Sequence, residues 1–229
     1  VRLCADCYFA IRVIGRDWLP RWGMSAMVVD FTDLDAVRAA LRPDTRLLWA
    51  ETPSNPLLKV NDIAALAAIA HVAGARLLVD STFAPPTLQR PLALGADVVM
   101  QSGTKYLGGH GDVMGGVLSF AEDDEHAAAC HGQRLLGGAT ASPFAAWMIL
   151  RGLRSLPARM DWHCRNAMAV ARWLAAHRRV DKVHYPGLDS HAGHAVAARQ
   201  MHGGFGGMLS FEVAGGREAA LAVASRLRL

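Results

Sequence analysis

A chain of 229 residues that is 52% hydrophobic, 19% charged and of net charge +4 has the composition of a folded protein with material for one or two cored domains. Its basic residues are scattered, with no stripe, no interleaved aromatics and no nucleic-acid motif, which argues against a nucleic-acid partner and leaves a general attraction for anionic ligands. There is no membrane-length apolar run and no signal peptide, and four cysteines (Cys4, Cys7, Cys130, Cys164) suit a reducing compartment, so no membrane partner and a cytoplasmic location are expected.

Along the chain, Cys4 and Cys7 form a lone C-x-x-C. Without a second pair or a His partner they read as small residues at a strand edge, not as a zinc site. Thr32 with Asp35 resembles a capping box that starts a helix through Leu41. Arg46-Leu47-Leu48-Trp49-Ala50 reads as a buried strand. Asn61 is placed to cap a helix to about His71, with Ile63, Leu66, Ile69 and Val72 on one side and Gly74 at its end. Arg76 to Val79, Asp97 to Gln101 and Gly116 to Phe120 read as further strands. Such strand–helix–strand units with apolar strands predict a mostly parallel sheet covered by helices on both faces. From Ser142 the pattern changes. Ser142-Pro143 opens a helix, and a second amphipathic stretch runs from about Ala158 to His177. Tyr185-Pro186-Gly187-Leu188 is a turn, and Gly203 to Gly207 leads into an apolar strand, Met208 to Val213, of a smaller C-terminal module.

Lys105 is the most telling residue. Arg outnumbers Lys 21 to 3, so generic positive charge comes from Arg. An amine kept at this position suggests chemistry closed to a guanidinium, such as a Schiff base with a carbonyl. Lys105 ends Gln101-Ser102-Gly103-Thr104-Lys105, where a strand gives way to the glycine-rich Gly108-Gly109-His110-Gly111. Hydroxyls and backbone N–H groups at such a turn suit a phosphate, and the amine suits an aldehyde. Pyridoxal 5'-phosphate (PLP) carries both groups.

Ligands of parallel α/β sheets bind beyond the carboxyl ends of the strands. Glu51 and Asn55 follow one such end, Asp80 closes a second, and Ser102, Thr104 and Lys105 follow a third. Asp80 ends an apolar run, so it needs a cationic partner such as a protonated pyridine nitrogen, or it caps the turn through Ser81 and Thr82. Tyr8 lies near a strand end and either stacks on a cofactor ring or packs at the rim. His191-x-x-His194, with His184 and His202 nearby, has no acid or Cys partners at ligand spacing, so no metal is expected.

Together these residues resemble the Cys/Met-metabolism, or trans-sulfuration, family of PLP enzymes, which includes cystathionine γ-synthase and the cystathionine β- and γ-lyases. Glu51-Thr52-Pro53-Ser54-Asn55-Pro56 is similar to E-x-P-x-N-P, and Asp80-Ser81-Thr82-Phe83-Ala84 to D-N-T-F-A. Pro91 to Asp97 is similar to P-L-x-L-G-A-D, Ser102 to His110 to S-x-T-K-Y-x-x-G-H, and Asp6-Cys7-Tyr8 to D-x-Y. Departures are Ser81 for Asn, Gln101 for His, Gly111 for Ser and Phe9-Ala10 for Gly-Gly.

The resemblance implies an α/β, fold-type-I PLP-dependent transferase-like fold. It implies a PLP-binding core over 1–140, connecting helices over 141–180, and the start of an incomplete small domain over 181–229. It assigns Lys105 to the Schiff base and proton shuttling, Asp80 to the pyridinium nitrogen, Ser102 and Thr104 to the phosphate and Tyr8 to ring stacking. Asn55 lies beside the ring hydroxyl and substrate carboxylate, and Glu51 matches an acidic position behind the cofactor. The implied reaction is a lyase or transferase step on cystathionine, an O-acylhomoserine or a cysteine/homocysteine-type substrate, by a homodimer or homotetramer. Family chains begin before Val1 and continue past Leu229, so the sequence reads as the central portion of a longer enzyme or a truncated homologue. The alternative reading is a catalytically impaired fragment or structural remnant.

Overall fold

The computed structural model describes residues 1–228. Six strands form the main sheet: β1 (Arg2–Cys4), β2 (Met27–Val29), β3 (Leu47–Glu51), β4 (Arg76–Asp80), β5 (Val98–Ser102) and β6 (Gly116–Phe120). Their order is β2-β1-β3-β4-β5-β6, parallel from β2 through β5, with β6 antiparallel at the edge. The strands read from the sequence at β3, β4 and β5 are therefore direct neighbours, and their carboxyl ends open on one side.

Helices α1 (Phe9–Val13), α2 (Leu34–Ala40) and α3 (Ile63–Val72) follow β1, β2 and β3. Leu48 and Ala50 of β3 and Leu77 and Val79 of β4, each two residues apart, share a buried cluster with Ile63, Leu66 and Ala70 of α3. Period two on the strands meets period 3.6 on the helix, and the shared apolar surface holds the layers together. Two caps lie one residue beyond those expected. Asp33 caps α2, accepting from the N–H groups of Asp35 and Ala36 at 3.0 Å each, while Thr32 turns its hydroxyl to Asp30 at 2.7 Å. Asp62 caps α3 through Ala65 N–H at 3.0 Å, because Asn61 is drawn inward, donating to the Glu51 carbonyl at 2.9 Å. Gly74 follows α3 at φ 65°, the left-handed position a helix end favours.

Beyond β6 come α4 (Glu125–Leu136), α5 (Pro143–Ala175), β7 (Val180–His184), α6 (His194–Gln200), β8 (Ser210–Val213) and α7 (Gly216–Ala224). Ser142 caps α5 as expected, accepting from Ala145 N–H at 3.1 Å. The two helical stretches expected here are one helix of 33 residues that runs through Pro157. Its buried residues Ile149, Gly152, Leu156, Met160, Cys164, Ala167, Ala171 and Leu174 recur at three and four residues across the proline. That unbroken stripe outweighs the one lost backbone hydrogen bond. β7 and β8 pair antiparallel in a separate two-stranded sheet, and β8 begins at Ser210, two residues after the expected Met208. Among the described residues no helix is long and apolar enough to cross a membrane.

Candidate active site

The three strand ends build the site. Register places Glu51 of β3 opposite Asp80 of β4, and Asp80 opposite Met100 of β5. Two carboxylates therefore stand side by side at the sheet's carboxyl edge, only 5% and 4% exposed. Burial pushes the Glu51 carboxyl up to about 8, and the charge of Asp80 adds to the rise. The backbone N–H groups of Tyr8 and Asn55 oppose it by pointing at the carboxylate, Tyr8 N–H at 2.6 Å from Oε2. This bond ties Tyr8, at the start of α1, to the end of β3. The phenol itself is half exposed at the rim, edge-on to Phe9 with ring centroids 4.7 Å apart. Asn55 is exposed in the loop after β3.

Burial also raises the Asp80 pKa, against two hydrogen bonds from Thr82. Thr82 donates its N–H at 2.9 Å and its hydroxyl at 2.6 Å, both to Oδ1. The turn-capping reading of Asp80 is thus realised, and it uses only one carboxylate oxygen. Among the described residues no Lys, Arg or His pairs with the other. Thr82 also accepts the Ser102 N–H at 2.9 Å, so its hydroxyl joins the end of β4 to the end of β5. The sequence offered Thr82 as part of the Asp80 turn, but not this link to β5. The bond within the turn follows from a hydroxyl two residues after a buried Asp.

Lys105 interrupts the tight turn of Gly103–Leu107 with extended-side torsions, φ −92° and ψ −124°. Its side chain is exposed. Ser102 and Thr104 differ. The Ser102 hydroxyl has no protein partner among the described residues. The Thr104 hydroxyl accepts the Gly115 N–H at 3.1 Å and holds the start of β6 against the loop. The loop is fixed from behind by α5. Arg159 donates to Tyr106 O at 2.9 Å, to Gly152 O at 2.8 Å and to Ser155 Oγ at 2.9 Å. Gly152 lets α5 pass so closely that a Cβ there would lie 2.2 Å from Gly108 O and 2.4 Å from Leu107 O. Neither Arg159 nor Gly152 was singled out from the sequence.

The other candidates lie elsewhere. Cys4 and Cys7 are buried free thiols beside Glu51, and donation of the Cys4 S–H to Cys7 together with burial raises the Cys4 pKa. His184 pairs with Glu212 at 2.7 Å and His194 bonds to Pro186 O at 2.8 Å, so both rings serve the C-terminal segment.

The fold and this edge define a class, α/β proteins that place an amine, buried carboxylates and hydroxyls at the carboxyl ends of a parallel sheet. Residues 3–229 match the model of the Cys/Met metabolism PLP-dependent enzyme family, and the chain belongs to it. It is 50% identical over 212 residues to cystathionine gamma-synthase of Mycobacterium tuberculosis, covering 91% of this chain and 53% of that protein. It is 47% identical over 191 residues to cystathionine beta-lyase of Coxiella burnetii, covering 83% and 49%. The crystal structure of metB from Corynebacterium glutamicum superposes with a TM-score of 0.97 at 42% identity, covering 100% of this chain and 59% of that one. The chain thus spans about half the length of the curated relatives it matches.

The residues present fit PLP. Asp80 is a buried carboxylate with one oxygen free of any cation, as a protonated ring nitrogen requires. Ser102 offers a free hydroxyl at the turn. Lys105 offers an exposed amine three residues further on.

Proposed function

We propose that this chain carries the cofactor site of a PLP-dependent lyase or transferase of sulfur amino-acid metabolism, of the cystathionine γ-synthase or cystathionine β/γ-lyase type. The convergence of Lys105, Asp80, Glu51 and Ser102 on adjacent strand ends carries the reading. The names of the relatives divide between synthase and lyase, so the proposal spans both. Bound there, PLP would supply an electron sink for negative charge at the substrate's α-carbon. Asp80 would hold a proton at the ring nitrogen, and burial beside Thr82 keeps its carboxylate aimed and dry. Lys105 would anchor the cofactor's carbonyl and carry protons between substrate carbons. Ser102 would hold the phosphate, with Thr104 shaping the loop and adding a contact. Tyr8 would cover the ring, Asn55 would meet the ring hydroxyl and substrate carboxylate, and Glu51 would sit behind the cofactor.

Incubation with PLP and cystathionine, and separately with an O-acylhomoserine plus cysteine, tests this. A keto acid from the first or a thioether from the second is the expected product, and Lys105→Ala should abolish both. Neither product, or full activity in Lys105→Ala, would overturn the proposal. The same reading divides the chain into a core over 1–140, connecting helix over 141–180 and the start of a small domain from 181, and places it in the cytoplasm as a homodimer or homotetramer.

A further inference from the structure

Glu51 and Asp80 are presented by strand ends, and the strands part just past them. Thr52 N–H makes the last backbone bond between β3 and β4, to Asp80 O at 3.0 Å. Beyond it, the next rung is a side chain. Gln89 Nε2 donates to Thr52 O and to Ser81 Oγ, both at 3.0 Å, bridging the residues that follow Glu51 and Asp80. Gln89 is fully buried. Its Oε1 accepts from Gln200 Nε2 at 3.1 Å, and Gln200 is the last residue of α6, 111 positions downstream. Gln200 Nε2 donates again to Asn61 O at 3.1 Å, and its Oε1 accepts Ile63 N–H at 3.3 Å at the start of α3. Asn61 returns the chain to the site, donating Nδ2 to Glu51 O and its N–H to Thr52 Oγ1 at 3.0 Å.

Every donor of both glutamine amides is used, and flipping either would set carbonyl against carbonyl, so one arrangement is specified. A buried polar network this complete holds its members in one geometry.

Resting on the proposed role of the two carboxylates, we propose that Gln89 and Gln200 are positioning residues that set the spacing of Glu51 and Asp80 and couple it to α6 of the C-terminal segment. The pair acts through the strand ends and touches neither carboxylate directly. α6 thereby becomes part of the site's frame, although it contributes no group to the crevice.

The test uses the full chain without added cofactor, so its outcome is independent of turnover. Glu51 is faced by Asp80 from β4, by Cys4 and Cys7 from β1 and its turn, and by the N–H groups of Tyr8 and Asn55. Its titration is followed by carboxyl-carbon NMR while the side-chain amide signals of the glutamines are recorded. The amide signals of Gln89 and Gln200 should shift with the same midpoint as Glu51, while the exposed Gln133 on α4 stays fixed. Static Gln89 and Gln200 signals across that midpoint would overturn the coupling. In Gln200→Met the Glu51 midpoint should fall by half a unit or more. A lowered Tm with an unmoved midpoint would reduce the pair to a structural role and also overturn the proposal. Should Gln200→Met not fold, the unmodified chain's amide titration decides alone. Loss of cystathionine turnover with the titration intact would instead fault the proposed function.

Discussion

At the residue scale the site turns on how a carboxylate behaves when its neighbours are another carboxylate and a thiol. Glu51 is raised from 4.5 to about 8. Between those values the folded chain keeps a proton that the unfolded chain has released. Stability therefore falls as pH rises from about 4.5 to about 8, and the lost contribution is on the order of a few kcal/mol. Glu51→Gln should remove this slope, leaving the variant the more stable protein above pH 8 and little changed near pH 5. Denaturant unfolding of both proteins at pH 5, 7 and 9 measures it, and parallel pH dependences would refute the assignment. At this scale the sequence singles out Lys105, Asp80 and Asn55 because each is an uncommon group at or just past a strand end: an amine among guanidiniums, an acid closing an apolar run, an amide between prolines. Gln89 and Gln200 did not stand out, since an amide signals nothing until its partner across 111 residues is known.

At the element scale, the loop bearing Lys105 has little structure of its own and is held by α5. Gly103 and Gly152 allow that approach, each lacking a Cβ that would meet the facing element at 2.9 Å or less. At Gly152 the obstacle is backbone carbonyl oxygen, which cannot rotate away. Gly152→Ala should force α5 off the loop, cost about 1–3 kcal/mol and loosen PLP retention. Gly132 in α4 meets nothing within 4 Å, so Gly132→Ala should instead stabilise by up to about 1 kcal/mol. Equal effects from the two, read by thermal unfolding and PLP release, would show that the loop does not depend on α5. The strands β3, β4, β5 and β6 were readable from apolar runs bounded by turn residues. The length of α5 was not, because Pro157 suggests an end where the buried stripe says otherwise, and the caps of α2 and α3 were each one residue off because Thr32 turns to Asp30 and Asn61 to the Glu51 carbonyl.

For the whole molecule, the informative feature is apolar surface on the wrong side of a helix. The first half of α5 buries Ile149, Gly152 and Leu156 against the Lys105 loop and its surroundings. Its other side carries Phe144, Trp147 and Leu150, exposed by 67%, 56% and 54%. Phe144 and Trp147 stack with ring centroids 6.0 Å apart, forming one continuous surface instead of isolated side chains. A helix apolar on both sides is ordinarily buried on both, and exposed patches of this kind mark association sites. The proposed homo-oligomer has a place to form here, beside the loop that carries Lys105. Phe144→Glu with Trp147→Glu puts two carboxylates into that contact while leaving the buried stripe intact. In sedimentation the unmodified chain should run as a dimer or larger and the double variant should shift toward the monomer, with far-UV circular dichroism unchanged. An unmodified chain that stays monomeric at tens of micromolar, or a variant that associates as strongly, would remove this face from the assembly.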